Sequence, residues 1–178
     1  LLSFLIFIAS FFIGLFSSMQ DPTFESFIMG EGYVQMTLEN IEKGDPMAVY
    51  KDQEQTTMFF GITLNNIMVA ARTYLFSIFI GLGTVLILVY NGIMVGAFQH
   101  MFIKRDLGFE SFLTIWQHGT LELFSIVLSG TAGFVLAAGI LFPGTYSRLD
   151  ALRLAARKSI IVLLGLIPIL IYTGFVET

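Results

Sequence analysis

Long apolar runs alternate with polar stretches along the chain. The apolar runs are residues 1–17, 58–103, 119–142 and 159–176. A transmembrane helix needs about 20 consecutive apolar residues, so the first, third and fourth runs each predict one crossing. The second run is roughly twice that length, and it is interrupted by Asn65-Asn66 and Arg72. It therefore predicts two apolar segments that turn back near Arg72.

The polar stretches between these runs differ in charge. Residues 18–57 contain eight acidic residues and two lysines, whereas residues 143–158 contain four basic residues and one acid. Because loops rich in Lys and Arg stay in the cytoplasm, we expect a basic cytoplasmic loop at 143–158 and an acidic extracytoplasmic loop at 18–57. Residues 104–118 combine charged with aromatic residues and predict an interfacial segment.

These assignments determine the number of crossings. If 1–17 and the last span, 159–176, both run outward, three crossings lie between residues 57 and 143. The span 119–142 supplies one and 58–103 must supply two, so the total is five. The count depends on residues 58–71, which are short for a full crossing. The alternative is that they form a re-entrant segment. The predicted fold is a single transmembrane domain over 1–178, an all-α polytopic membrane helix bundle of about five helices.

Short amphipathic rim helices are predicted within the acidic loop. Asp21-Pro22 and Asp45-Pro46 are typical of helix starts, because aspartate accepts from free N–H groups and proline lacks the donor that would stay unpaired. Gly30, Gly32 and Gly44 are predicted helix stops. Val34, Leu38 and Ile41 share one helical face. We expect these helices to pack on each other or to lie on the membrane surface.

Composition agrees with a membrane protein and excludes several functions. The chain is 56% hydrophobic and 12% charged, with a mean hydropathy of +0.82, and nucleic-acid binding is excluded at this charge density. The absence of cysteine excludes disulfides and thiolate sites. Run 1–17 has no basic lead and no cleavage pattern, so we interpret it as a transmembrane helix rather than a signal peptide.

Small residues on helix faces predict where helices pack in lipid, since close backbone approach stabilises contacts there. Gly92 and Gly96 form a GxxxG pattern, and Ser129, Gly133 and Ala137 recur at four-residue spacing. We expect these two helices to touch closely. A stripe left unmatched in the bundle would pair with a second copy and give a homodimer.

Few polar residues interrupt or border the apolar runs, and they are the candidate site. They are Asn65, Asn66, Asn91, His118, Glu122, Arg148 and Glu177. A carboxylate in lipid is costly, so Glu122 should face the bundle, be protonated or have a partner. His118 and Glu122 are four residues apart and lie on the same side of a helix.

The His118–Glu122 pair admits three interpretations. Imidazole and carboxylate suit zinc or iron, but such a site needs more ligands, and His100 is the one other histidine. A proton-transfer pair would belong to a carrier with discontinuous helices. We favour the third interpretation, a structural clamp at the outer rim that joins this helix to Asn91 or Asn65 of its neighbours.

No catalytic constellation is present in the sequence, which lacks cysteine and a Gly-x-Ser-x-Gly elbow. We therefore expect no enzymatic activity, no metal and no cofactor. Ser147 and Asp150 resemble a capping box, which predicts an amphipathic helix start whose basic residues contact anionic lipid headgroups. Pro168 is expected to kink the last span.

A family resemblance is carried by a series of motifs. They are Asn65-Asn66, Asn91-Gly92, HGTLEL at 118–123, SGTAG at 129–133, PGTYSR at 143–148 and GFVET at 174–178. Over residues 58–178 this pattern resembles the stage II sporulation protein M family of integral membrane proteins. The resemblance implies about five spans, no established enzymatic activity and, for the named member in spore formers, a membrane anchor for peptidoglycan hydrolases. All seven candidate polar residues match its motif positions.

Two functions from different classes follow. The first is a non-enzymatic scaffold or anchor in a bacterial or archaeal cytoplasmic membrane, which recruits extracytoplasmic or membrane proteins, such as cell-wall remodelling factors, through the acidic loop. The second is a small transporter or lipid-handling permease with a polar path through Asn65, Asn91, His118 and Glu122. Both involve membrane lipids, and neither involves nucleic acid.

Overall fold

The structure is a computed structural model that describes residues 1–42 and 55–176. Within these ranges the regular secondary structure is entirely helical, without strands. The helices are α1 Leu2–Gln20, α2 Phe24–Met29, α3 Glu31–Glu42, α4 Gln55–Leu75, α5 Leu82–Ile103, α6 Gly108–Leu141 and α7 Arg148–Val176. A short 3₁₀ turn, Phe76–Ile78, joins α4 to α5. The predicted all-α membrane bundle is confirmed.

The five long helices alternate in direction. Short connections make α4, α5, α6 and α7 successive antiparallel neighbours. Helix α1 is also antiparallel to α6, because Ser3 hydrogen-bonds Thr131 (Oγ to Oγ1, 3.0 Å) while Phe7, one turn on, packs with Val127. Helices α1, α5 and α7 therefore run one way, and α4 and α6 run the other.

This arrangement separates two ends of different charge. We call the end where α1 and α7 begin the basic end, because α7 opens with Arg148, Arg153, Arg157 and Lys158. The opposite end, where α1 and α5 finish, carries α2 and α3, and we call it the acidic end. Its described acids on those elements are Asp21, Glu25, Glu31, Glu39 and Glu42.

Four helical segments of the described chain are long and apolar enough to cross a membrane. They are Leu2–Gln20, Leu82–Ile103, Gly119–Leu141 and Arg148–Phe175. Helix α4 is the fifth member of the bundle and has sufficient length, but Asn65, Asn66 and Arg72 make it less apolar. Its turn into α5 falls at residues 76–81, slightly later than the expected turn near Arg72.

Helix α6 is longer than the predicted span. Its 34 residues extend about 51 Å at 1.5 Å per residue, whereas a hydrocarbon core is about 30 Å thick. Most of the predicted interfacial segment, from Gly108 onward, is the continuous start of this helix.

The capping box predicted at the start of α7 is confirmed. Ser147 Oγ donates to Asp150 Oδ2 (2.6 Å) and accepts from the Asp150 N–H (3.2 Å). From that cap α7 continues through Pro168 to Val176.

The GxxxG pattern packs on a different helix from the one expected. A Cβ atom on Gly92 would lie 2.7 Å from the Phe7 carbonyl oxygen, and one on Gly96 would lie 2.8 Å from the Leu15 nitrogen. Both partners belong to α1. The expected close contact between α5 and α6 is present, but Gly92 and Gly96 do not make it. The α6 stripe meets α5 one or two turns earlier, where Gly133 lies against Thr84 and Ala137 against Gly81.

The rim helices pack on the end of α5. Val34 is buried against Met101 and Phe102, with Leu38 and Ile41 beside them, so the apolar face predicted for this segment is confirmed. Gly30, with φ 88°, separates α2 from α3 as expected. Gly32 lies inside α3 and is not a stop, because a single glycine does not end a helix whose apolar face is buried. The expected features at Gly44 and Asp45-Pro46 lie outside the described residues.

Candidate functional site

A polar pair joins α4 to α6 inside the bundle. Asn66 Nδ2 donates a hydrogen bond to Glu122 Oε1. Asn66 is buried and Glu122 is half-buried. Glu122 is the fourth residue of the apolar segment Gly119–Leu141, so the pair lies at membrane depth. A carboxylate within a membrane span is costly unless it has such a donor or is protonated.

Glu122 does bond an asparagine of a neighbouring helix, but it is a different asparagine from those expected. The Asn91 side chain donates to the Ile87 carbonyl oxygen of its own helix (2.8 Å), and Asn65 is exposed on the outer face of α4. Asn66 is about 100° further round the helix than Asn65 and shares the buried face with Thr63 and Ala70. The expected clamp through Asn91 or Asn65 is therefore wrong, and helical phase is the reason.

Arg148, the predicted site residue at the start of α7, does not lie near Glu122. Arg148 is exposed at the start of α7, at the basic end, whereas Glu122 lies in the half of α6 nearer the acidic end. The side chain of His118 and all of Glu177 lie outside the described residues. Within the part of the chain that the structure describes, no group of three His, Cys, Asp or Glu side chains is placed to hold a metal ion.

Buried hydroxyl groups extend from this pair toward the basic end. On α4 they follow Asn66 at helical spacing, at Thr73, with Ser77 in the turn beyond, and on α6 they are Ser125 and Ser129. The Thr84 hydroxyl of α5 donates to the Thr73 carbonyl oxygen (2.8 Å). In the sequence these polar residues recur at multiples of a helical turn, four or seven positions apart, a spacing that also fits simple helix packing.

Two of these buried hydroxyl groups, and a third close to the Asn66–Glu122 pair, lack a hydrogen-bond partner. The hydroxyls of Thr63, Ser77 and Ser129 are buried without a hydrogen-bond partner among the described residues. Buried polar atoms are normally hydrogen-bonded, so these three hydroxyls have hydrogen-bonding capacity that protein groups do not use. The face between α4, α5 and α6 thus carries polar groups among apolar core residues such as Val69, Leu88 and Ile126.

A second buried pair fastens the rim to the bundle. His100 Nδ1 of α5 lies 2.7 Å from Glu25 Oε1 of α2, and both side chains are buried. Sequence reasoning missed this pair because 75 residues separate its members and Glu25 was read as part of a water-exposed loop. Beside it, Gln99 Nε2 donates to the Gly108 carbonyl oxygen and to Ser111 Oγ (both 3.0 Å), which fixes the start of α6.

The junction between α1 and α2 is also organised by an acid. Asp21 Oδ1 accepts from the Thr23 hydroxyl (2.7 Å) and from the Thr23 N–H (2.8 Å). These bonds, the hydroxyl first, hold the pKa of the Asp21 carboxyl below its usual value. Asp21 follows the last residue of α1, and α2 begins at Phe24. The expected helix start at Asp21-Pro22 is therefore an acid-stabilised turn directly before the helix.

Comparison with known proteins gives one match. The model of a family described as Stage II sporulation protein M matches residues 3–178. This range includes α1 and the acidic loop, where the sequence motifs had given no signal. No curated protein and no solved structure matches the chain.

Proposed function

Because the chain belongs to the stage II sporulation protein M family and is a multi-pass membrane protein, we propose that it is a non-enzymatic scaffold. In this proposal the protein sits in a bacterial or archaeal cytoplasmic membrane and recruits other proteins at its acidic end. Cell-wall remodelling factors are the proposed partner class, because such proteins act on the side of the membrane that we assign to the acidic end.

The observation that carries this proposal is the way the acidic end is built. Helix α3 buries Val34 against Met101 and Phe102 of α5, and α2 is held by the Glu25–His100 pair. An acidic surface fixed at two points loses little conformational entropy when a partner binds. A scaffold requires such a preformed surface.

The surface itself is the outer face of α3. Glu31, Glu39 and Glu42 are exposed there, with Gln35 between them. With Gln35 they recur three or four residues apart and so lie on one stripe, which runs beside the buried face that holds Val34. A stripe of this charge suits a partner with basic side chains, and it would steer the approach of such a partner.

The charge difference between the ends supports the orientation. Basic loops remain cytoplasmic, so α7 would begin in the cytoplasm, where Arg153, Arg157 and Lys158 are exposed and can contact anionic lipid headgroups. The acidic end would then face outward.

Partner recruitment tests the proposal directly. The full-length protein is purified in mild detergent from its own host, and co-purifying proteins are quantified against the bait by mass spectrometry. We expect the triple variant Glu31→Gln, Glu39→Gln, Glu42→Gln to lose a stoichiometric extracytoplasmic partner at least about tenfold, as expected for loss of electrostatic complementarity. The matched control is Gln35→Asn on the same face. Equal recovery with both variants would contradict the scaffold proposal.

A second candidate function, a small permease, is supported by the polar interior. The Asn66–Glu122 pair and the unsatisfied hydroxyls of Ser77 and Ser129 place polar groups at membrane depth, as a transport path requires. Its test is movement of a fluorescent lipid or of protons in proteoliposomes. The permease would lose flux on Glu122→Gln while keeping its fold, and equal flux in wild type and variant would exclude it.

A further inference from the structure

The connection between α4 and α5 is apolar and exposed. It reads LFSIFIGL over residues 75–82, and we call it the apolar turn. Its one polar side chain, Ser77, is fully buried. Its large apolar side chains are instead between 46% and 68% exposed, namely Leu75, Phe76, Ile78, Phe79, Ile80 and Leu82. Because turns in water usually carry Gly, Pro, Asn, Asp or Ser, this composition is not that of a turn surrounded by water.

The backbone of the apolar turn adds a second sign of this kind. Ile80 has φ 57° and Gly81 has φ 81°. The left-handed conformation is unfavourable for a β-branched residue and is ordinarily given to Gly, Asn or Asp. An isoleucine at this position therefore supplies one more exposed apolar side chain at the cost of backbone strain.

Several backbone donors of the apolar turn are satisfied within it. The N–H groups of residues 79, 81 and 82 donate to the carbonyl oxygens of residues 76, 77 and 79, at 3.2, 2.8 and 3.0 Å. Beneath the turn, the Thr84 hydroxyl donates to the Thr73 carbonyl oxygen (2.8 Å). Where water is scarce, backbone groups must be paired inside the protein. The turn is therefore suited to a region with little water.

Helix α6 gives the level of the apolar turn in the membrane. A Cβ on Gly81 would lie 3.2 Å from Ala137 Cβ and 3.5 Å from the Phe134 ring. The apolar segment of α6 continues for four residues beyond Ala137 and ends at Leu141, about 6 Å further along the helix. The turn is thus level with the inside of a membrane span and does not project past its end.

Helix α7 places the headgroups close to the same level. The hydroxyls of Tyr74, which directly precedes the turn, and of Ser159 lie 3.0 Å apart. Lys158, next to Ser159 on the side of the basic end, is exposed, and so is Arg157. Lysine and arginine near the end of a span extend their charged groups to the headgroups. The apolar turn therefore lies beside the part of the acyl chains that is nearest to the headgroups.

We propose that the apolar turn is inserted into the lipid leaflet at the basic end, at the boundary between acyl chains and headgroups. Helices α4 and α5 then form a hairpin that enters from the acidic end and turns without emerging into water. Lipid is the occupant because the exposed surface is continuous with the lipid-facing side of α5, where Leu86, one turn after Leu82, is also exposed. The inference goes beyond the scaffold and permease proposals and depends on neither.

Fluorescence quenching at single cysteines tests the level of the turn. The chain has no cysteine, so Phe79→Cys, on the turn, and Thr145→Cys, in the exposed connection before α7, can each carry one environment-sensitive NBD label. Both variants are reconstituted in vesicles of phosphatidylcholine and phosphatidylglycerol, with iodide on both sides. We expect iodide to quench the label at position 79 at least about fivefold less than the label at position 145, because apolar side chains inserted at this boundary are shielded from water.

Lipids that carry a nitroxide quencher measure the depth itself. A nitroxide near the glycerol should quench the label at position 79 more strongly than a nitroxide near the end of the acyl chain, since the proposed level is shallow. Equal iodide quenching at positions 79 and 145 would overturn the proposal. Equal quenching of position 79 by the two lipids would overturn it as well.

Two substitutions of Ile80 give an independent readout. Gly and Asp both suit the left-handed conformation, so Ile80→Gly and Ile80→Asp relieve the same backbone strain and differ in polarity. In vesicles, we expect the Asp variant to unfold about 2–4 °C below the Gly variant, because a carboxylate is costly among acyl chains. Equal unfolding temperatures would mean that water surrounds the turn and would overturn the proposal. Neither measurement involves a partner protein or a transported substrate, so failure here leaves the scaffold and permease proposals separately testable.

Discussion

Nδ1 of His100 lies 2.7 Å from Oε1 of Glu25, and this contact links the last turn of the second span candidate to the first rim helix. Both side chains are buried where α2 crosses the end of α5. The pair converts an acidic loop that sequence alone would leave loosely attached into a fixed surface. The imidazole of His100 is therefore one of two contacts that hold the proposed docking surface, and the other is the packing of Val34 on Met101 and Phe102.

Replacing His100 by Ala should loosen the rim without unfolding the bundle. A buried carboxylate left without its partner costs about 1–3 kcal/mol or more. We expect faster amide hydrogen exchange in α2 and α3, with unchanged exchange in α6 and α7. The control is Gln35→Ala on the exposed face of α3. If His100→Ala increased the amide exchange rate equally in all helices, the Glu25–His100 contact would not act locally on the rim.

Adjacent asparagines give a second prediction. Asn66→Ala should lower the unfolding temperature in detergent, because it removes the donor to Glu122, whereas Asn65→Ala should leave it nearly unchanged in the isolated protein. The expected loss is about 0.6–1.7 kcal/mol, the range found for polar contacts between membrane helices. Far-ultraviolet circular dichroism of the helices reports the transition. An equal change in unfolding temperature for both variants would show that the hydrogen bond from Asn66 to Glu122 does not stabilise the bundle.

A third prediction concerns the contact between α1 and α5. Gly96→Ala should destabilise the bundle by about 1–3 kcal/mol, because overpacking forces closely packed backbones apart and the new methyl group would meet α1 at Leu15 and Phe11. Gly165→Ala on α7 is the matched control, since a Cβ there meets nothing within 4 Å. Thermal unfolding of both variants in the same detergent measures the difference.

The acidic end also offers a pH prediction through Asp21. Its pKa is lowered in the folded protein by Thr23, so the stabilisation is present above the unfolded pKa and is lost as pH falls through the lower folded value. Thr23→Val removes the hydroxyl donor and should raise the Asp21 pKa toward its ordinary value. A carboxyl titration by NMR checks this, and an unchanged pKa in Thr23→Val would show that the backbone N–H alone sets it.

Much of the fold followed from sequence because the membrane imposes simple rules. Apolar run length located α1, α5, α6 and α7 and most of their ends, and charge separated the two ends of the bundle. The extent of α6 was missed because Gly108 to His118 is polar enough to read as a surface segment, yet nothing in it breaks a helix.

The candidate site was harder to foresee, since it depends on helix rotation and on distant pairing. Sequence named Glu122 and both neighbouring asparagines, but the 100° between Asn65 and Asn66 decides which one reaches Glu122, and only packing sets that rotation. The Glu25–His100 contact has no local signal at all. Close helix packing was foreseen at Gly92 and Gly96, but small residues do not specify which helix they meet.

Orientation in the membrane is open to a direct test in this cysteine-free chain. A single cysteine at Thr145, in the exposed connection before α7, should resist an impermeant maleimide in intact cells and react after lysis, because the positive-inside rule places the basic end in the cytoplasm. Gln35→Cys on α3 should react in intact cells. The alternating helix directions put these two positions at opposite ends of the bundle, so they must label oppositely. Labelling of Thr145→Cys from outside, with protection of Gln35→Cys, would invert the protein and place the acidic surface in the cytoplasm, where a cell-wall partner could not reach it.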